Sequence, residues 1–162
     1  SIRRQRQMCI RDRADEDRIP KKVMRMFMCQ YLLSKTYKDM FDENKILSAY
    51  SDETERFEAH HIIPLGTVKK VGESTKKLRD DEKNICNSPL NFVYITKKAN
   101  KEISDESLKD YVQKINAEAK AKLHITAYTN SDIPQDQVKQ ILRERYDFLK
   151  GDIRERISTL LS

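Results

Sequence analysis

The sequence predicts a mostly helical α+β domain whose centre is two short strands followed by a helix. Three observations carry that class: an apolar-rich stretch at 57–63 closed by Pro64, a β-branched and aromatic stretch at 90–95, and apolar residues at helical spacing on either side of them. At 162 residues the chain is one domain's worth of sequence, long enough for a single core.

The elements follow in order. From Lys21 to Lys38, Val23, Met24, Phe27, Met28, Tyr31 and Leu32 recur at helical spacing, with the methionines as core filler. Glu43 to Tyr50 reads as a short second helix and Ser51 to Arg56 as a polar connector. Phe57 to Ile63 is the first strand, because proline cannot donate to a ladder and stops it. Thr67 to Lys83, with Gly66 and Gly72 at hand, reads as a basic loop holding one helical turn. Leu90 to Ile95 is the second strand. Thr96 then N-caps a short helix carrying Lys97, Lys98, Asn100 and Lys101, and Ser104 caps the next, with its Leu108, Tyr111, Val112 and Ile115 stripe. A loop over Thr126 to Ile133 leads to Pro134, suited to a first helical turn. Val138, Ile141, Leu142, Leu149, Ile153, Ile157 and Leu160 track one face of a last helix, which Gly151 is expected to weaken by about 1 kcal/mol. No internal repeat is present.

Composition excludes several classes. No run of 18 apolar residues exists, so no transmembrane helix is expected, and no secretory signal pattern is visible. Cys9, Cys29 and Cys86 are too few and too scattered for a disulfide framework or a paired structural zinc site, which favours a reducing, cytoplasmic setting. The net charge of +6 is uneven, since residues 1–13 hold five arginines and one aspartate, leaving +2 for the rest. Within it, Arg4 to Arg13 resembles translated sequencing adapter, so 1–13 is set aside as non-native or disordered, and global charge is weak support for nucleic-acid binding. The chain does not begin with methionine, which suggests a missing upstream part.

The chemistry concentrates at His60-His61-Ile62-Ile63-Pro64, followed by Asn91 and Asn100. Two of only three histidines are adjacent, and an imidazole either takes a proton near neutral pH or binds a metal. Asparagine oxygens complete hard-metal sites without adding charge. A histidine pair alone is more often structural; the proline, the second strand and the ordered asparagines raise it to a candidate one-metal nuclease site. His124 reads as a packing residue. Glu58 is either a partner orienting a histidine or an ordinary strand carboxylate. Lys97, Lys98 and Lys101 either contact phosphates or form a solvated helix face. Lys69, Lys70, Lys76, Lys77 and Arg79 make the intervening loop basic.

Glu58-Ala59-His60-His61-Ile62-Ile63-Pro64 and Asn91-Phe92-Val93-Tyr94-Ile95-Thr96-Lys97-Lys98-Ala99-Asn100-Lys101 together resemble the HNH (His-Me finger, ββα-metal) endonucleases. The longer context, through the Arg143 to Arg156 helix, resembles the C-terminal nuclease module of GmrSD-type restriction proteins. The resemblance implies an HNH nuclease domain over 20–162, with a ββα-metal core at about 57–104 and C-terminal helices over 104–161. It implies His61 as general base, His60 and Asn100 as ligands of one Mg2+ or Mn2+ ion, and Asn91 bracing the loop and strands of the catalytic unit. Lys97, Lys98 and Lys101 would meet the DNA substrate. A restriction or phage-defence effector with a ParB-like upstream domain is implied, and no membrane. The alternative is a catalytically silent nucleic-acid-binding or interaction module on the same scaffold.

Three features depart from the family pattern. The His61–Asn91 loop is long, zinc-binding cysteine pairs are absent, and the last site position is Asn100 rather than histidine, which suits magnesium better than zinc. Consecutive strand residues also point to opposite faces, so His60 and His61 require a twisted strand end to serve one substrate.

Overall fold

The structure, a computed structural model, describes residues 21–48, 56–68, 72–81, 83–103, 106–125 and 135–162. Segment 1–13, the 51–55 part of the expected connector, Lys69, Lys70, the Ser104 cap, the 126–133 loop and Pro134 lie outside these residues.

The fold is α+β and mostly helical, with a two-stranded antiparallel sheet among the described residues. Helix α1 (Lys21–Lys35) precedes β1 (Phe57–His61), short helices α2 (Leu65–Val68) and α3 (Thr75–Asp80), two 3-10 turns (Ile85–Asn87 and Pro89–Asn91) and β2 (Phe92–Thr96). Then come α4 (Lys97–Ile103), α5 (Leu108–Tyr111) with a 3-10 turn at Val112–Lys114, α6 (Ala117–Lys122) and the long α7 (Gln135–Leu161). Strand pairing runs from Phe57 opposite Thr96 to His61 opposite Phe92. The chain leaves β2 directly into α4, where the Thr96 hydroxyl accepts the backbone N–H of Ala99 at 3.2 Å, the expected cap.

One core holds these elements together. Met28, Tyr31 and Leu32 from α1, Ile62, Ile63, Val93 and Ile95 from the sheet region, Tyr111, Val112 and Ile115, and Val138, Leu142 and Leu149 from α7 are all buried. Each such side chain contributes roughly 1.5–3 kcal/mol of burial, which lets a sheet of only two strands persist where an isolated ribbon would not.

The structure corrects several element expectations. Residues 43–48 are not helical. Asp42 accepts the backbone N–H groups of Asn44, through its side chain, and Lys45, through its carbonyl, closing a turn. Lys38 and Ile46 then bridge as extended chain, so local side-chain capture outcompeted the helix. The first strand stops at His61, and the second begins at Phe92 because the Pro89–Asn91 turn occupies its expected start. Helix α7 runs through Gly151, but its apolar stripe leaves the core after Ile153, and Ile157 and Leu160 are exposed. At about 1.5 Å per residue a helix of 27 residues outreaches so small a core. Val23 and Phe27 at the start of α1 are likewise exposed.

Candidate active site

His60 and His61 close β1, and alternation along the strand separates their side chains. His60 turns toward α4 and the core. It is buried, its ring meets Tyr111 edge-on at 5.4 Å between centroids, and its Nδ1 lies 3.0 Å from Asn100 Oδ1. Its Nε2 is buried with no hydrogen-bond partner. Burial pulls the His60 pKa below its usual value, against the Asn100 contact and the negative charge of Asp39.

His61 takes the other face. Its ring lies 4.5 Å from the ring of Phe92, its cross-strand neighbour, and its Nε2 lies 3.2 Å from Asn87 Oδ1. Burial is the main cause that lowers its pKa to about 4; the Asn87 contact opposes this, and His60, Arg79 and Arg25 add to it. At neutral pH the ring is therefore uncharged, with a lone pair on one of its nitrogens. His60 is near enough for its charge to be felt at His61.

Asn87 was missed from sequence, yet its amide sets the His61 tautomer. Its Nδ2 donates to the carbonyls of Leu78, Arg79 and Asp81 at 2.7, 3.2 and 2.8 Å. With the amino end so committed, only the oxygen faces His61, and an oxygen can only accept. His61 must carry its proton on Nε2, which leaves the lone pair on Nδ1. No periodicity marks Asn87; the only local cue is its place in a polar turn before Pro89.

Asn91 is fully buried and works on the chain that follows the histidines. Its Oδ1 accepts Ile63 N–H at 2.9 Å, and its Nδ2 donates to the Ile63 and Cys86 carbonyls at 3.2 and 2.8 Å. Ile62 N–H donates in turn to the Asn91 carbonyl at 2.8 Å. The Tyr111 hydroxyl donates to the Ile62 carbonyl. The peptide just past His61 is thus gripped from both sides.

Asn100, one turn into α4, meets His60 through Oδ1 and donates through Nδ2 to Glu58 Oε2 at 3.0 Å. Asp39, another residue without a sequence signal, is a buried carboxylate that accepts the backbone N–H groups of Phe41 and Thr96 at 2.8 and 2.7 Å. It ties the turn before β1 to the junction of β2 and α4. Arg25, from α1, lies over the Phe92 ring at 5.3 Å and donates to the Asn87 carbonyl at 3.3 Å, so a cation flanks His61.

Of the three lysines, Lys98 and Lys101 occupy the outer side of α4. Lys98 and Lys101 are exposed, and Lys98 lies 3.9 Å from Glu102 one turn on; Lys97 is half-buried. Lys76, Lys77 and Arg79 are exposed on α3. His124 stacks on Phe148 at 4.3 Å with a positive φ of 49°, a packing role.

Among the described residues no three His, Cys, Asp or Glu side chains are grouped to hold a metal ion. A cation here would have one imidazole and one amide as protein donors. No helix among the described residues is long and apolar enough to cross a membrane. No curated protein and no solved structure matches the chain. The family model for the C-terminal domain of GmrSD restriction endonucleases matches residues 5–150. Adjacent histidines at a strand end, an asparagine gripping the turn beyond them and a second asparagine on the following helix thus sit within a domain that belongs to the GmrSD restriction endonuclease C-terminal family.

Proposed function

We propose that this domain is a metal-dependent HNH endonuclease that hydrolyses phosphodiester bonds in DNA, as the effector of a restriction or phage-defence protein with a ParB-like partner domain. The observation that carries the reading is the 3.0 Å approach of His60 Nδ1 to Asn100 Oδ1 beside an uncharged His61. Two adjacent ligands of an octahedral cation at about 2.1 Å lie roughly 3.0 Å apart, so the donor pair fits such an ion. Without an ion, His60 Nδ1 donates its proton to Asn100 Oδ1; a cation bound between the two would take the place of that proton, which the unpartnered Nε2 can hold instead.

His61 takes a proton from the attacking water through Nδ1, with the ring held by Asn87 and Phe92. The water oxygen bonds to phosphorus as the bond to the departing sugar oxygen breaks. A bound Mg2+ or Mn2+ ion supplies charge relief on the phosphate and at that oxygen. Lys97, Lys98 and Lys101 flank the site on α4 and attract the phosphate backbone, while Arg25 contributes positive charge on the His61 side. Asn91 keeps the turn beyond His61 in place and does not touch the reacting atoms.

Nicking of supercoiled plasmid with Mg2+ or Mn2+, against an EDTA control, tests this reading. Metal-dependent nicking that His61→Ala abolishes supports it. Salt-sensitive DNA binding without cleavage at any metal returns the domain to a silent binding module.

A further inference from the structure

Glu58 sits two residues before His60, on the same face of β1, and it is half-buried. Its Oε2 accepts Asn100 Nδ2 at 3.0 Å, while Asn100 Oδ1 faces His60 Nδ1 at the same separation. The Asn100 amide is thus held at both ends. Half a turn about its last bond exchanges oxygen for nitrogen at little steric cost, because the two ends have nearly the same shape.

His60 cannot decide which end it meets. A neutral imidazole nitrogen donates in one tautomer and accepts in the other, and the opposite ring nitrogen, Nε2, has no partner to fix the choice. A carboxylate has no such freedom, since an ionised one only accepts. With the amide reversed, the Glu58 and Asn100 oxygens would abut, and an NH2 group would stand where a cation needs an oxygen. Among the described residues, Glu58 is the contact of this amide that distinguishes its two orientations.

We propose that Glu58 is a positioning residue that turns the Asn100 amide so that its oxygen, beside His60 Nδ1, is presented to a divalent cation. The inference rests on the nuclease reading but assigns a task that this reading does not need. A rival account is that Glu58 only adds negative charge near the ion. Aspartate separates the two, because it keeps the charge but withdraws it by about 1.5 Å, out of reach of Asn100.

The test is Mn2+ affinity by isothermal titration calorimetry on the 162-residue chain, with circular dichroism melting to verify that each variant folds. Glu58→Gln and Glu58→Asp should each weaken binding by about tenfold or more. Adding Asn100→Asp to Glu58→Gln should restore it, because both ends of the new side chain are oxygens. Glu58→Asp binding as tightly as wild type would overturn the orientation role in favour of charge. An unaffected Glu58→Gln, or a double variant no better than the single, overturns it as well. Wild-type protein that binds no Mn2+ overturns this proposal together with the nuclease reading; normal wild-type binding with unaltered variants overturns this proposal alone.

Discussion

Asn87 presents its side-chain oxygen to His61 Nε2 at 3.2 Å while its amino group is consumed by three backbone carbonyls. The tautomer of His61, on which its proposed role as base depends, is therefore set by a residue outside the histidine and asparagine motif. Replacing Asn87 with alanine removes the acceptor and strands those carbonyls. Stability should fall by about 1–3 kcal/mol, the usual cost of buried groups left unpaired. Any nicking activity should lose most of its turnover rate with little change in the substrate concentration needed. Urea unfolding and nitrogen-15 NMR of the His61 ring check both parts; an unaltered Nε2–H tautomer in the variant would refute the assignment.

His61→Ala removes the proposed proton acceptor while leaving His60 and Asn100 in place. Cleavage should fall by about 10²–10⁴-fold, the usual contribution of a general base, while Mn2+ affinity stays within a factor of two or three. His60→Ala should lose Mn2+ binding and cleavage together. Calorimetry and plasmid nicking on the same preparations distinguish the two patterns, and equal loss of metal in both variants would contradict the division of roles.

Acid should destabilise the fold before ordinary carboxylates are protonated. Burial holds both His60 and His61 below their usual pKa, His61 at about 4. Unfolded imidazoles take protons near 6.5, so lowering the pH favours the unfolded chain. The stabilisation is complete above 6.5 and declines as pH falls toward the folded values. For His61 the loss at pH 5 comes to about 2 kcal/mol. Urea midpoints at pH 7.5 and 5 should show the drop, and His61→Gln should reduce it. A pH-independent midpoint would count against burial of the neutral rings.

Arg145 on α7 is buried and donates to the carbonyls of Leu123, Leu90 and Phe92, with no carboxylate paired to it among the described residues. Burial lowers its pKa to about 10, so it stays charged at neutral pH. It joins the last helix to the start of β2 and so to Asn91. Arg145→Ala should cost on the order of 3 kcal/mol, and Arg145→Lys should recover little, because an ammonium lacks the planar fork that spans several carbonyls. Thermal melts of both variants decide it; full rescue by lysine would point to charge alone.

Much of the architecture was legible because it follows from local periodicity. Two short strands, the Thr96 cap and a long final helix are written in apolar spacing and turn residues, and each is present. The 43–50 helix failed because Asp42 captured backbone N–H groups next to it, a competition that spacing does not reveal. The stripe of α7 was overextended because periodicity carries no information about where the rest of the core ends.

The sequence by itself determined the family and the order of the chemistry-bearing residues, since adjacent histidines, a proline and two asparagines at set spacing are local facts. Tertiary structure alone decided what those side chains meet. It joined His60 to Asn100 across 40 positions, turned His61 to Asn87, and set Glu58 against Asn100. Hydrogen-bond direction depends on which atoms burial brings within about 3 Å, and no spacing along a chain encodes that.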